Sequence, residues 1–206
     1  MLQKQVLVLL SLLLLLVSCN NDKLPVYGEK RAVVTIDNTI DSADYQLPQF
    51  AYLDQDSNLV NGGTIANKIF VTEFFFTSCP SICPKMQAQM LRVYEKYKTN
   101  PDVQILAWTI DPVRDTIGKL KSYEKKLGIE SSKWHLLTGE KDSIYSLAES
   151  FLVSAAEDPD APGGHVHSGN FILVDRQQRL RGYYDGTKEE SVTKLLSEMD
   201  ILLKEK

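Results

Sequence analysis

The sequence has no surplus of basic residues. Lysine and arginine together number 23 against 27 aspartates and glutamates, which leaves a formal net charge of −4. Nucleic-acid binding usually depends on a basic surface that neutralises phosphates, so this composition argues against a nucleic-acid partner. With 43% hydrophobic and 24% charged residues over 206 positions, the chain has the composition of one soluble globular domain. That composition excludes collagen-like, wholly disordered and polytopic membrane proteins.

Long hydrophobic runs are absent except for one near the N-terminus. Val6–Val17 is apolar apart from Ser11, and it follows the basic Lys4. A helix that spans a bilayer needs about 20 apolar residues, so this shorter run has the length of a signal-peptide core.

The end of this run resembles the lipobox of bacterial lipoproteins. It reads Leu16-Val17-Ser18-Cys19, and three polar residues follow the cysteine. The resemblance implies that residues 1–18 are a lipoprotein signal peptide and that Cys19 carries a lipid. The protein would then be exported and anchored to a membrane of the cell envelope, on its periplasmic or outer face. The alternatives are an ordinary secretory signal or an uncleaved anchor, in which Cys19 is incidental.

Cysteine is scarce, with three residues in all. If Cys19 carries a lipid, Cys79 and Cys83 remain as a pair in a compartment that permits disulfides. Residues 19–44 are polar and without a sustained hydrophobic period, which predicts a membrane tether or linker.

Residues 45–206 are predicted to form a single domain in which strands and helices alternate. Continuous apolar runs such as Lys68–Phe76 predict buried strands, and the helical spacing of Pro84–Tyr97 predicts a helix. Asp115 is the predicted N-cap of a helix that Gly128 ends. The pattern predicts an α/β fold with a mixed sheet flanked by helices. The other predicted elements are strands at Ala32–Ile36, Val103–Ile110, Trp134–Leu137, Phe171–Val174 and Leu180–Tyr184, and helices at Asp142–Leu152 and Lys188–Leu203.

Two cysteines stand where the most apolar strand gives way to a helix. They belong to the segment Cys79-Pro80-Ser81-Ile82-Cys83-Pro84. Because positions i and i+4 share one face of a helical turn, we expect both thiols to point at one atom. A helix N-terminus favours the thiolate, which is the form that binds soft metals and attacks disulfides. A static disulfide is the alternative, but a ring this small would remove little chain entropy.

A third metal ligand would come from the three histidines. His135 lies in a predicted strand and is expected to be structural or surface-exposed. His165 and His167 lie in a glycine-rich segment before another strand, and such a segment can approach a second site closely. Two thiolates and one imidazole suit copper, above all Cu(I), whereas zinc usually takes a fourth ligand. Met86 and Met90 could add thioether ligands, but their helical spacing favours core packing.

Four blocks of the sequence together resemble one protein family. They are Cys79-Pro80-Ser81-Ile82-Cys83-Pro84, Asp111-Pro112-Val113-Arg114-Asp115-Thr116, Trp134 with Leu137-Thr138-Gly139, and His167-Ser168 ahead of Phe171–Asp175. Their order and spacing resemble the SCO/SenC family of thioredoxin-fold proteins over nearly the whole domain. The resemblance implies a thioredoxin-like domain that binds copper through Cys79, Cys83 and His167.

The same resemblance implies a role in assembling the binuclear copper centre of cytochrome c oxidase. The implied cofactor is a copper ion, Cu(I) or Cu(II). The implied partners are the copper-containing subunit of the oxidase and thiol reductants or other copper carriers.

The sequence departs from the family pattern just before His167. Gly163-Gly164-His165-Val166 stands there in place of an approach that commonly contains aspartate. Ligand imidazoles usually need an acceptor for their second N–H group, and the sequence does not identify one. His165 has no counterpart in the family pattern, so it is at most a substitute ligand.

Glu73 lies six residues before Cys79 in an otherwise apolar strand. Thioredoxins carry a buried acid at this offset, where it assists proton transfer at the inner cysteine. A buried carboxyl group has a raised pKa and could accept a proton, whereas a glutamate at a strand edge would lie in water.

Three functions therefore remain open. The leading one is a copper-binding assembly factor that delivers or prepares copper for the oxidase. The second is a thiol-disulfide reductase that acts on the oxidase subunit's cysteines and needs only Cys79, Cys83 and Glu73. The third is a peroxiredoxin-like peroxidase, which would need an arginine beside its reactive cysteine, and no arginine adjoins Cys79 in sequence.

Two further features bear on these alternatives. Thioredoxin-type reductases usually have a cis-proline loop that faces the cysteines, and no proline lies between His165 and Asp175. The predicted strand Val103–Ile110 is followed by a loop that contains Asp111, Arg114 and Asp115. A loop at that position would lie beside the two cysteines. One interpretation is that these three residues are ordinary turn and cap residues. The other is that they form a secondary surface for partner docking.

Overall fold

The chain folds around one mixed β-sheet. A computed structural model describes residues 23–37 and 39–205, so the predicted signal peptide and Cys19 lie outside the described residues. The strands are β1 (Arg31–Val34), β2 (Ile40–Ala43), β3 (Ala51–Leu53), β4 (Leu59–Asn61), β5 (Ile69–Phe75), β6 (Val103–Thr109), β7 (Trp134–Leu137), β8 (Ala155–Glu157), β9 (His165–His167), β10 (Asn170–Val174) and β11 (Leu180–Asp185). The helices are α1 (Cys83–Tyr97), α2 (Ile117–Leu127), α3 (Lys141–Ser150) and α4 (Glu189–Lys204).

The central sheet has the strand order β11-β10-β5-β6-β7. Strands β5, β6 and β7 are parallel, whereas β10 runs antiparallel to both β5 and β11. Every residue of β5 and β6 is buried, as their continuous apolar runs predict. The predicted α/β class with a mixed sheet is confirmed, and each predicted element is present with ends that differ by at most two residues.

Aromatic side chains fill the core of the sheet. The ring of Trp108 meets those of Phe50, Tyr52 and Phe151 at centroid distances of 5.1, 5.0 and 6.2 Å. Met86 and Met90 are fully buried on α1, so their helical spacing does reflect core packing.

The sequence did not predict three short pairings. They are β2 with β1, the hairpin of β3 and β4, and the hairpin of β8 and β9. Strands of three or four residues are too short to show a hydrophobic period, so their pairing cannot be read locally. The third pairing matters for function, because the glycine-rich segment that carries His165 and His167 is strand β9.

Part of the segment predicted as a tether packs on the domain. Leu24 is buried, and the Tyr27 backbone N–H donates to the Leu180 carbonyl at 2.9 Å. None of the described helices is both long and apolar enough to cross a membrane.

The predicted role of Asp115 as an N-cap is wrong. The cap of α2 is Thr116, whose side chain accepts from the Lys119 backbone N–H at 3.4 Å. Asp115 is fully buried and accepts from the Thr77 N–H at 2.9 Å, the Thr77 hydroxyl at 2.5 Å and the Thr109 hydroxyl at 2.6 Å. It therefore joins the loops that follow β5 and β6, which are neighbours only in the folded sheet. The predicted helix end at Gly128 is confirmed, with a φ of 70°.

The different structural roles of Asp115 and Thr116 can be measured as different losses of stability. We expect Asp115→Ala to lower the free energy of unfolding by about 3 kcal/mol or more, because it leaves buried donors without their charged acceptor. Thr116→Ala, the matched cap variant, should cost only about 1 kcal/mol. Urea denaturation of both variants measures these values. Equal losses would show that Asp115 does not hold the two loops together.

Candidate metal centre

Cys79, Cys83 and His167 come together at the carboxyl end of β5. Their ligand atoms all lie within 4.8 Å of one another, and no other group of three such residues occurs in the described part of the chain. Both cysteines are free thiols. The expectation that they share a helical turn is wrong, because α1 begins at Cys83 and Cys79 lies in the turn before it.

His167 is oriented by its own backbone neighbour. Its Nδ1 lies 2.9 Å from the Ser168 carbonyl oxygen, and its Nε2 lies 3.4 Å from Cys83 Sγ. The carbonyl can only accept, so Nδ1 carries a proton and Nε2 is the nitrogen that faces the thiols. Nε2 donates to the Cys79 thiolate when it is protonated, and it offers a lone pair to a metal when it is not. The Ser168 carbonyl is the acceptor that the sequence did not identify. A metal-ligating imidazole needs this kind of support.

His165 belongs to a different network, although it lies only two residues from His167. Its Nδ1 lies 3.3 Å from the Tyr145 hydroxyl oxygen, and its Nε2 lies 3.1 Å from an Arg114 Nη2 atom. Both ring nitrogens are thus engaged away from the thiols. His135 is also buried, and its Nδ1 lies 3.0 Å from an Asp54 carboxylate oxygen, as a structural histidine would.

Arg114 joins the loop after β6 to the hairpin that carries His167. Its Nε donates to Asp111 Oδ2 at 2.5 Å, and its Nη2 donates to the Gly163 carbonyl at 3.0 Å. Asp111 is buried, so its side chain takes part in this internal network. The network holds the start of β9 in place and, through it, the position of His167.

The two thiols differ in their affinity for protons. Burial by itself raises the pKa of Cys79, but hydrogen bonds with His167, Cys83 and nearby backbone groups lower that pKa to about 5. Burial raises the pKa of Cys83 well above its usual value, and the charges of Cys79 and Glu73 add to this effect. The expected preference of a helix N-terminus for thiolate is therefore outweighed at Cys83, which is 2% exposed.

Glu73 is fully buried beneath the two cysteines, as a thioredoxin-like position implies. Burial raises its pKa to about 8, although a hydrogen bond from Gln87 opposes the shift. Gln87 Nε2 donates to Glu73 Oε1 at 3.1 Å, while Glu73 Oε2 and Gln87 Oε1 are buried without a partner. A proton on Glu73 Oε2 would supply a donor for Gln87 Oε1 and so satisfy both atoms.

Gln87 is a residue of the site that the sequence analysis missed. It lies four residues after Cys83 and is buried on α1. The signal was available, because residues four apart on a helix face the same side. A buried glutamine one turn below a reactive cysteine is placed to contact whatever lies beneath that cysteine.

Cys79 reaches the surface at a small cavity of about 140 Å³. Both histidines of β9 line this cavity together with Phe76, Ile82 and Pro162. A larger cleft of about 850 Å³ lies between β3, β4 and α3, and none of the three clustered residues lines it. A metal ion or a partner thiol would therefore approach from the Cys79 side.

The chain is similar to known proteins in sequence and in fold. The SCO1/SenC family model matches residues 38–201. The chain is 30% identical over 195 residues to the SCO2-like protein RC0895 of Rickettsia conorii, and the match covers 90% of this chain and 89% of that protein.

Three solved structures are similar to this one. A SCO1/SenC family lipoprotein from Bacillus anthracis has a TM-score of 0.71 and 26% identity, over 78% of this chain and 96% of that one. BsSco, named as a member of the Sco family of cytochrome c oxidase assembly proteins with a disulfide switch, has a TM-score of 0.69 and 25% identity, over 79% and 95%. Arabidopsis thaliana ScoI with copper bound has a TM-score of 0.62 and 27% identity, over 74% and 94%. The fold is thus thioredoxin-like, and the chain belongs to the SCO1/SenC family.

Proposed function

We propose that this protein is a copper-binding assembly factor that delivers or prepares copper for the binuclear copper centre of cytochrome c oxidase. The observation that carries the proposal is the convergence of two thiols and one imidazole nitrogen within 4.8 Å. Two soft sulfur donors and one nitrogen form a set that suits Cu(I), and they provide fewer ligands than a structural zinc site. A relative with bound copper and a relative from an oxidase assembly family support the proposal.

Each of the three proposed ligands has its own part. Cys79 is already a thiolate at neutral pH, whereas Cys83 must lose its proton when the metal binds. When a metal binds, His167 would coordinate it through Nε2, because the Ser168 carbonyl holds the proton on Nδ1. Met86 and Met90 are fully buried in the core and do not belong to the set.

In this proposal copper is a cargo, and the site must release it to a partner. Cys79 and His167 both line the small surface cavity, whereas Cys83 does not, so a partner's thiolate can reach the metal there and replace one ligand at a time. The copper-containing subunit of the oxidase would receive the metal. Other copper carriers or thiol reductants would supply it or keep the two cysteines reduced.

We further propose that the protein works at a membrane surface. Residues 1–18 have the features of a lipoprotein signal peptide, and Cys19 would carry the lipid after export. A relative of the same fold that is named a lipoprotein supports this assignment. The site would then lie on the periplasmic or outer face.

The role of His167 can be tested by removing it. We expect His167→Ala to weaken Cu(I) binding by at least about 100-fold, because losing a ligand costs more than losing a ligand's hydrogen-bond partner. Anaerobic titration against a competing chelator measures the affinity, and X-ray absorption should show that the copper–nitrogen contribution is lost. His135→Gln, which changes a buried histidine far from the thiols, is the control. Unchanged affinity in His167→Ala would remove histidine from the site.

The lowered pKa of Cys79 predicts an unusual pH profile for its reaction with iodoacetamide. The rate should be constant above about pH 6 and should fall about tenfold for each unit below about pH 5, as the thiolate is protonated. In the urea-unfolded chain, the rate should instead rise through about pH 8.5, the usual thiol pKa. Mass spectrometry locates the modified residue, and Cys79→Ser should remove the fast reaction. A profile that rises through pH 8 in the folded protein would contradict the lowered pKa.

The opposite pKa shifts of the two thiols support a second candidate function, thiol-disulfide reduction. The Cys79 thiolate would attack a substrate disulfide, form a mixed disulfide and release one substrate thiolate. Cys83 would then lose its proton and attack Cys79 Sγ, which releases the second thiolate and leaves a Cys79–Cys83 disulfide. A thiol reductant would restore the two thiols. We propose that Glu73 accepts the proton of Cys83 in the second step.

Glu73→Gln separates the two functions. Glutamine cannot accept the proton, but its carboxamide can pair with Gln87 as the protonated acid would. We expect the second step to slow by roughly 100-fold and to lose its rise with pH through about 8, where Glu73 ionises. Cu(I) affinity should stay within a few-fold of the wild type. Stopped-flow measurement of substrate-thiol release gives the rate, and an unchanged rate and profile would exclude Glu73 as the acceptor.

A further inference from the structure

One buried arginine lies far from the metal centre and has no part in the functions proposed above. Arg181 is only 3% exposed, although it carries a full charge. It occupies a β-bulge, because Val174 pairs with Leu180 and Leu173 pairs with Gly182, which leaves Arg181 unpaired between them. Bulges of this kind re-aim a side chain away from the regular alternation of a strand.

The side chain of Arg181 binds the beginning of the described chain. Its Nε donates to the Pro25 carbonyl at 3.0 Å, and its Nη2 donates to the Leu24 carbonyl at 2.7 Å. The same guanidinium donates to Asp175 at 2.9 Å and to Glu205 at 2.7 Å. The other oxygen of Glu205 accepts from the Leu24 N–H at 2.9 Å. We call these five residues the Arg181 clamp.

The Arg181 clamp has few degrees of freedom left. Four of the five N–H donors of the guanidinium have acceptors, two of them carboxylates and two of them backbone carbonyls. Breaking the contacts to Leu24 and Pro25 would leave N–H groups of a buried cation without acceptors, which is costly. The adjoining Tyr27 adds a backbone bond to Leu180, so the segment is held at two successive points.

The clamp and the metal centre lie at opposite ends of the sheet. Helix α4 runs from one of these ends to the other. It begins beside Thr187, which packs with Ile82 around Gly169 next to the metal centre, and it ends at Glu205 in the clamp. Its 16 residues span about 24 Å at 1.5 Å per residue.

The clamp also shortens the effective tether. From Cys19 to the domain limit predicted at residue 45, a free chain of 26 residues would reach about 90 Å when fully extended. From Cys19 to Leu24 there are five residues, which reach only about 17 Å.

We propose that the Arg181 clamp orients the domain on the membrane, with the metal centre facing away from the lipid. With α4 upright on the bilayer, the centre works about 25 to 40 Å above the bilayer surface, the sum of the helix length and the short tether. This inference rests on the proposed lipidation of Cys19 and on the proposed metal function. It defines the partner as one whose metal-receiving site stands in the aqueous phase, and it excludes a receiving site at the level of the lipid headgroups.

The test uses the full lipidated chain on vesicles and two maleimide probes, one soluble and one attached to a lipid headgroup. The measured quantity is the rate at which the lipid-linked probe modifies Cys79, divided by the rate for the soluble probe. We expect this ratio to be at least tenfold lower in the wild type than in a variant with 20 glycine and serine residues inserted between Asp22 and Lys23. The insertion leaves every contact of the clamp in place. Arg181→Met should raise labelling by the lipid-linked probe in the same way.

Arg179→Gln is the matched control for the arginine variant. Arg179 also pairs with Asp175 but does not touch Leu24 or Pro25, so this variant should behave as the wild type. Equal labelling of the wild type and the insertion variant by the lipid-linked probe would overturn the inference. Failure of the chain to remain on the vesicles would overturn both the lipidation and the orientation. Copper titration of the same chain would still report separately on the metal function.

Discussion

The antiparallel pairing of β10 with β5 is the contact on which the metal centre depends. Cys83 and His167 are 84 positions apart, and they meet because β10 lies beside the strand that leads into the cysteine turn. The parallel pairing of β5 with β6 places a second loop at the same edge, where Asp115 and Arg114 tie it to its neighbours. Hydrogen bonding in the sheet thus sets the distances between the donor atoms.

Burial then makes the two thiols chemically different. The outer one, Cys79, has hydrogen-bond partners that stabilise its charge, whereas the inner one, Cys83, lies over a buried acid and keeps its proton. Such a pair suits a soft metal that displaces one proton, and it equally suits stepwise thiol exchange. One arrangement therefore supports both proposed functions, which differ in what approaches through the cavity beside Cys79.

The metal centre and the Arg181 clamp lie at opposite ends of the sheet. The donor atoms lie at the carboxyl end of β5, and the clamp of Arg181 lies at the opposite end, beside the turn between β10 and β11. Arg181 lies near the start of β11, where its buried charge is paired with Asp175 and Glu205 and its other contacts are the carbonyls of Leu24 and Pro25. An arginine that only stabilised the turn would not need to contact residues 24 and 25.

The sequence by itself determined the fold class, nearly every long element, the cysteine pair and the candidate histidine. It could do so because buried strands, amphipathic helices and closely spaced reactive residues leave local patterns. Only the tertiary structure decided the properties that depend on contacts between residues far apart in the sequence. The roles of Asp115, His165 and Arg181, the strand identity of the histidine segment and the thiol asymmetry all come from contacts between segments that are remote in sequence. No local pattern encodes them, because burial and hydrogen-bond partners are set only when remote segments meet.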